Sequence, residues 1–443
     1  MARAVTRLVV TVRLAAHLLG RVAAGAEVPV FLARGLGSAD ADARLRASAR
    51  VRLLDSPRAA TVLVVAGHVP AELSEALGRI HDQMARPRAT VWWSGDASAV
   101  TPTGCPEATI VGPGADIEAV ICAVHRELLT AQRASDTPLL PDIDPAPWRG
   151  VGPYGHGGTG MTGGVPYGRP MAGRGDDRRD GLTLDVVRVS VGPFFTMLPA
   201  GLVLDVTFAG DVVHDVTVIA PPAMSAGGSG AALPDALTAP FGEPLGRSVA
   251  IREIELARAR HHLRWLARYL HLSGLDSMAR RVAKMAVAPA GDPRDLVALG
   301  RGLDRPWALG RSTRGVGVAT GDDAAAWGGA VARAAGVGGD ARSDAPSYAA
   351  LGFEPITHRA GDNRDRWRQR LAETVQAIVL ASRAGTVTAQ PGETLEPSAP
   401  PAPADAAERL RTLLVGAEWG DAVAIVASID PRVEAALSAV RAA

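Results

Sequence analysis

The sequence predicts an α/β N-terminal domain on a parallel sheet, followed by an α+β domain with a small antiparallel sheet and a helical bundle. Short β-branched apolar runs alternate with helix-spaced segments between residues 60 and 129, the pattern of a sheet wound with helices. Two alternating runs flank Ala209-Gly210-Asp211, a turn suited to a tight antiparallel hairpin. Beyond residue 247 helical spacing dominates. At 443 residues there is room for two or three domains, and 47% hydrophobic against 21% charged residues suffices for buried cores.

In chain order, the apolar opening from Arg7 to Leu32 is broken by Arg13, His17, Arg21 and Glu27, charges that do not suit a bilayer span. Val5 to Leu19 reads as an amphipathic helix that packs on its own domain; docking on a partner or lying at a membrane surface are the alternatives. Ala60 to Ala66 is a buried parallel strand ending at Gly67, Pro70 to Met84 a helix, Ala89 to Trp93 a second strand, and Ile117 to Leu129 another helix. Residues 136–180 turn to Pro and Gly and read as a linker loop between a domain at 1–135 and one at 181–443. Its Gly155-His-Gly-Gly-Thr-Gly160 lacks the lysine and hydroxyl of a phosphate loop. A partner-facing role would use Tyr154, His156, Tyr167 and Arg169. Leu182 to Val189, Leu202 to Phe208 and Val212 to Val218 are strands. Arg247 to Leu270 is the strongest helix, with Leu256, Leu263 and Leu270 on one side and its arginines directed elsewhere. Helices are also expected at Asp322 to Ala335 and Asp362 to Arg383, a Pro-rich insertion at 388–405, a helix or turn near Leu410 to Val415, and an apolar run at Ala422 to Ile429.

The net charge of +1, from 47 basic and 46 acidic residues, offers no nucleic-acid footprint. Lys284 is the sole lysine, a codon-bias signature. Cys105 and Cys122 form no CxxC and no secretory signal precedes them, so a reducing, cytoplasmic setting is expected.

Leu54-Asp-Ser-Pro-Arg-Ala-Ala-Thr-Val-Leu-Val-Val-Ala-Gly67, Trp93-Ser-Gly-Asp-Ala97 and Val111-Gly-Pro-Gly-Ala-Asp-Ile-Glu118 resemble, in order, three segments of one known protein: the small, iron–sulfur-bearing subunit of complex I and [NiFe] hydrogenases. Its partner large subunit is resembled by Gly192-Pro193 through Val213, Arg247 to Tyr269, Gly328 to Tyr348, Gly361-Asp362 with Arg366, Arg370 and Glu373, and Trp419 to Asp430. The resemblance implies a fusion of the two subunits, a flavodoxin-like sheet in the first, and iron–sulfur, nickel or quinone chemistry at their junction.

The metal ligands of that family are missing. A cubane cluster takes four thiolates, yet Ala97 stands where the family has a cysteine and none occurs from Val111 to Glu118. Cys105 is then a plain buried thiol or a relic ligand. Nickel, held in the family by paired CxxC motifs, has no ligands either. Where the family's hairpin histidine would contact quinone, Phe194 and Phe195 occur, and a phenyl ring relays no proton. A remnant quinone cavity would be lined by Phe194, Phe195 and Met197. His156 and His214 read as exposed or structurally bonded, His358 as isolated, and His261 and His262 as poorly placed for one metal. Asp176 and Asp177 read as a solvated turn, and Arg364, Arg366, Arg368 and Arg370 as a solvated helix face or a partner-facing network.

These readings converge on a subunit of a membrane-associated NADH–quinone oxidoreductase or hydrogenase-like complex, structural or coupling in role. No catalytic residues, metal or cofactor are expected; the partners would be other subunits, including membrane-arm ones, and not nucleic acid. Its place would be cytoplasmic, peripheral on the inner face of the cell membrane. An active quinone-reducing subunit with an altered cavity, or a soluble binding or regulatory protein reusing the fold, are the alternatives.

Overall fold

The structure, a computed structural model, describes residues 23, 25–35, 38–93, 104–112, 114–141, 173–174, 184–219, 248–288, 292–305, 309–337, 339–393 and 403–431. The segment Val5 to Leu19, the Gly-rich loop with Tyr154, His156, Tyr167 and Arg169, Ala97, and the Asp176-Asp177 turn lie outside the described residues.

Strands β1 (Val28–Arg34), β2 (Val51–Leu53), β3 (Val62–Ala66), β4 (Ala89–Trp93) and β5 (Thr109–Val111) form one parallel sheet. Its order is β2-β1-β3-β4-β5, the doubly wound, flavodoxin-like arrangement. Both faces are covered, which is why the strands read as unbroken apolar runs. Val30, Leu32, Val62, Val64, Val91 and Trp93 face helices α1 (Ala39–Ala47) and α3 (Ile117–Leu129). Phe31, Leu63, Val65 and Trp92 face α2 (Ser74–Gln83) through Leu77. Each Val or Leu so buried contributes about 1.5–3 kcal/mol relative to exposure.

The second part begins with an antiparallel sheet in the order β6-β7-β8-β9, comprising β6 (Gly173–Arg174), β7 (Asp185–Val191), β8 (Val203–Ala209) and β9 (Val212–Ile219). Behind it comes the bundle: α4 (Ile251–Leu272), α5 (Asp276–Val287), α6 (Pro293–Leu303), α7 (Gly321–Trp327), α8 (Gly329–Ala334), α9 (Asn363–Arg383), α10 (Pro403–Leu414) and α11 (Trp419–Ile429). Leu204, Val206, Val213 and Val216 pack on Leu410, Leu414, Ile425 and Val426, joining the sheet to α10 and α11. A second cluster binds α4, α5, α6 and α9 through Leu263, Leu266, Val282, Leu296 and Leu371. The two parts share core residues: Ala43 of α1 belongs to the bundle cluster, and Phe194 belongs to a cluster of the parallel sheet.

Several expectations are corrected. The helix expected from Asp322 to Ala335 is broken at Gly328, whose φ of 63° interrupts it between α7 and α8. Thr388–Ala389, expected in a Pro-rich insertion, forms a two-residue strand paired with Val249–Ala250. The arginines of α4 do not all point away from the core, since Arg258 and Arg264 are buried. Nor are Arg366 and Arg370 on a solvated face. Arg366 Nη1 donates to the carbonyls of Gly317 (2.8 Å) and Gly361 (2.7 Å), its Nε donates to Ser428 Oγ (2.8 Å), and the Arg370 guanidinium stacks 4.6 Å from the Trp265 ring centroid. Carbonyls and an aromatic face compensate what burial takes from these cations.

Candidate functional site

A doubly wound sheet offers its ligand crevice at the carboxyl ends of the strands, where the winding reverses between β1 and β3. Here β1 ends in Arg34 and the chain turns at Gly35, whose amide donates to Ala66 O at 2.8 Å. The backbone passes so close that a Cβ on Gly35 would lie 2.3 Å from His68 O. Arg34 itself is buried and crosses to the second part of the molecule, donating from Nη2 to the carbonyls of Thr196 (2.8 Å) and Leu198 (2.5 Å). Burial, with Arg268 nearby, pulls its guanidinium down to about 10, which leaves it charged at neutral pH. Among the described residues, the crevice beside it, lined by Arg34, Arg46, Met197, Tyr269, His271 and Asp430 among others, has a volume of about 20 Å³. That is room for one water, whereas small-molecule sites run to roughly 300–1,000 Å³.

The structure does not bring Phe194, Phe195 and Met197 together. Phe194 is 5% exposed and packs among Phe31, Leu73, Trp92 and Cys105. Phe195 belongs to the antiparallel-sheet cluster, with its ring centroid 6.2 Å from that of Trp419. Of the three, Met197 lines the crevice. At its rim Thr196 Oγ1 donates to Asp55 Oδ1 (2.9 Å), and His271 joins Asp55 through Nε2 (3.0 Å) and Asp276 through Nδ1 (2.5 Å).

The thiols do not fit an iron–sulfur cluster. Cys105 is packed on the α2 face of the sheet and Cys122 on the α1/α3 face, so the sheet separates them. Burial, with Asp136 and Asp82, pushes the Cys105 thiol up to about 12, as for an inert buried thiol. Among the described residues no group of three or more His, Cys, Asp or Glu side chains is placed to hold a metal ion.

The densest polar constellation lies inside the bundle. Arg333 on α8 grips Glu373 on α9 with Nε to Oε1 at 2.7 Å and Nη2 to Oε2 at 3.1 Å, both side chains 1% exposed. His262 Nε2 on α4 lies 3.0 Å from Glu373 Oε2. Arg333 Nη1 is 3.6 Å from Asp340, whose carboxylate takes two hydrogen bonds from the Arg342 guanidinium (2.9 and 2.7 Å) and one from its amide (3.1 Å). Arg342 also reaches Glu255 on α4 at 3.2 Å, and Tyr348 Oη donates to Glu255 at 2.5 Å. Burial works to raise the Glu373 carboxyl, but Arg333 and His262 outweigh it and hold the group well below the usual carboxylate range. His262 is lowered by burial, against the pull of Glu373. Because guanidinium does not give up its proton, Arg333 interrupts any proton path from Glu373 to Asp340. The row is a brace across α4, α8 and α9. The His261 ring stands edge-on to that of His262, centroids 5.5 Å apart, and His214 sits half-buried on β9.

Sequence reasoning missed Arg34 and most of this brace. An arginine closing an apolar strand was a weak signal for the first; the second has no local pattern, since Arg342 and Glu255 are 87 residues apart.

Residues 303–409 match the family described as respiratory-chain NADH dehydrogenase, 49 Kd subunit. That stretch contains Arg333, Asp340, Arg342 and Glu373. No curated protein is similar enough to the chain to match it. Among solved structures, a chain from the membrane-bound sulfane sulfur reductase, an archaeal respiratory membrane complex, superposes with a TM-score of 0.40 at 17% identity, over 57% of this chain and 98% of that one. So partial a superposition bears on neither architecture nor chemistry, and the similarity rests on residues 303–409, which resemble the large subunit of complex I.

Proposed function

We propose that this chain is a subunit of a membrane-associated complex related to complex I and membrane-bound hydrogenases, in which it serves assembly or coupling and carries no electrons of its own. The observation that carries this reading is the place of Arg34: it crosses from the end of β1 to the carbonyls of Thr196 and Leu198, and among the described residues the space beside it is about 20 Å³. Similarity of residues 303–409 to the 49 Kd subunit supports the superfamily. The first part, with its doubly wound sheet joined to the bundle by shared core residues, is read as a fused small-subunit partner. Tethering two bodies that pack together fixes their stoichiometry and raises their effective concentration. Among the described residues no helix is long and apolar enough to cross a membrane, so attachment to the inner face of the membrane would run through partner subunits.

The test is purification of the chain from membranes in mild detergent, with metal analysis and quinone-dependent turnover of whatever accompanies it. Co-purification with antiporter-like membrane subunits, with iron only on the partners, is the expected result. Recovery as a lone chain would sink the complex-subunit reading. Quinone turnover abolished by Met197→Ala, with the complex intact, would replace the structural role by the active-cavity alternative.

A further inference from the structure

A second cleft lies between α6 and α9 and shares no lining residue with the crevice at Arg34. Its volume is about 470 Å³, with Val297, Leu371 and Val375 on the apolar side and Arg301, Arg368 and His358 on the polar side. That falls within the range of small-molecule sites.

The buried brace fixes the chemistry of His358. Gln369 Nε2 donates to Ile356 O (2.7 Å) and to Glu373 Oε1 (2.6 Å), and neither partner can do anything but accept. The amide nitrogen therefore faces them, and Gln369 Oε1 faces His358 Nδ1 at 2.7 Å as an acceptor. Nδ1 must carry the proton. In the neutral ring Nε2 is left with its lone pair, at the edge opposite Gln369. Solvent cannot rearrange this assignment, because Gln369 is 0% and Glu373 1% exposed.

The cationic wall is under-compensated. Asp304, the acid of the lining, is gripped by Arg364 at 2.8 and 2.6 Å and lies 3.7 Å from Arg368, which also leans on Asp365 at 3.4 Å. Exposed Arg301 has no acidic partner among the described residues. Beside it Val297 is 39% exposed, so apolar surface and free cation face the same space.

We propose that this cleft binds a small organic acid with an apolar body and a distal hydroxyl. The carboxylate pairs with Arg301 and Arg368, the body lies on Val297, Leu371 and Val375, and the hydroxyl donates to His358 Nε2. This site does not depend on the assembly role proposed above.

The full-length chain would be titrated with para-hydroxyphenylacetate, phenylacetate and the neutral para-hydroxyphenylacetamide, by calorimetry and by NMR of nitrogen-labelled histidine. The hydroxylated acid should bind about ten-fold more tightly than phenylacetate, the value of one good hydrogen bond, and the amide more weakly than either acid. Arg301→Gln, on the surface and harmless to folding, should weaken both acids about ten-fold, the loss expected from a charge-assisted contact. His358→Phe should erase the preference between them. Equal affinities, binding untouched by Arg301→Gln, or an Nε2–H resonance for free His358 would each overturn the proposal. Failure of all three probes would also overturn it, and protection of the cleft in the assembled complex would then make the surface a protein contact.

Discussion

Glu373 and Arg34 put the energetics of this chain into single side chains. Removing one member of a buried pair strands the other in a low-dielectric interior, which costs about 3–5 kcal/mol. Glu373→Gln is isosteric yet takes from the Arg333 guanidinium, 1% exposed, the carboxylate it grips most closely, leaving Asp340 at 3.6 Å. A loss of that size is expected in the urea midpoint of unfolding, while the Glu373→Leu/Arg333→Met double variant recovers part of it. The pH dependence has a definite sign. The Glu373 carboxyl is held below its ordinary value in the fold, so its contribution is complete above the unfolded value near about 4.3 and drains away as pH falls further. Neutral burial of His262 acts in the same direction from about pH 6.5 downward, where the unfolded imidazole gains a proton that the fold resists. Arg34→Met leaves the Thr196 and Leu198 carbonyls without their donor, for about 1–3 kcal/mol. The expected signature is faster hydrogen exchange through residues 194–202, with the parallel sheet unchanged. Retained protection there would show that the loop is held by Phe194 rather than by the guanidinium. Neither side chain's role was legible in the sequence. Hydrophobic periodicity says where a core lies, but not which distant charges meet inside it.

At the scale of elements the sequence was far more legible. The strand Ala89–Trp93 and the helix Ile117–Leu129 have the bounds that the apolar runs suggest, and the hairpin turns at Ala209-Gly210-Asp211. These segments carry their own punctuation in Gly, Pro and capping residues. What escaped notice had none. The strand Val28–Arg34 contains Pro29, which argues against an interior strand, and it adjoins an apolar stretch read as helical. Helix α5 buries Ala279, Ala283 and Ala286, a face too small to register as a hydrophobic stripe. Capping offers a direct test of an element that was legible. Asp362 Oδ1 accepts from Asp365 N at 2.8 Å, while Oδ2 accepts from Gly315 N at 2.7 Å, so one side chain both starts α9 and ties down a distant turn. Asp362→Ala should cost about 1–2 kcal/mol for the cap alone. Because two backbone donors are orphaned, the loss in thermal denaturation should reach the top of that range. Asp362→Asn, which keeps one acceptor, should restore roughly half.

Over the whole molecule, the question is what holds the parallel sheet to the bundle. Apolar sharing through Ala43 and Phe194 is insensitive to pH, and an exposed Arg280–Glu27 bridge at 2.9 Å adds to it. His271 is different. It ends α4, contacts Asp55 from the sheet side at 3.0 Å and Asp276 at the start of α5 at 2.5 Å, and has Arg46 of α1 nearby. The hydrogen bond to Asp55 raises the imidazole, ahead of the opposing burial and Arg46, with Asp276 adding to the rise. Asp55 is lowered in turn: burial opposes ionisation, but the bond from His271 prevails. A raised histidine stabilises fully below its unfolded value near about 6.5, and that contribution is lost as pH climbs through the folded value. The junction should therefore be tightest in mildly acidic solution and loosen as pH rises above the unfolded value and through the raised folded one. Hydrogen exchange at residues 194–202 and 269–276, corrected for intrinsic rates, reads this directly. In His271→Gln the protection should be lower and flat across the same range, with the core of α9 unaffected in both proteins. Wild-type protection that stays constant while the imidazole is seen by NMR to titrate would show that the apolar contacts alone fix the two parts together.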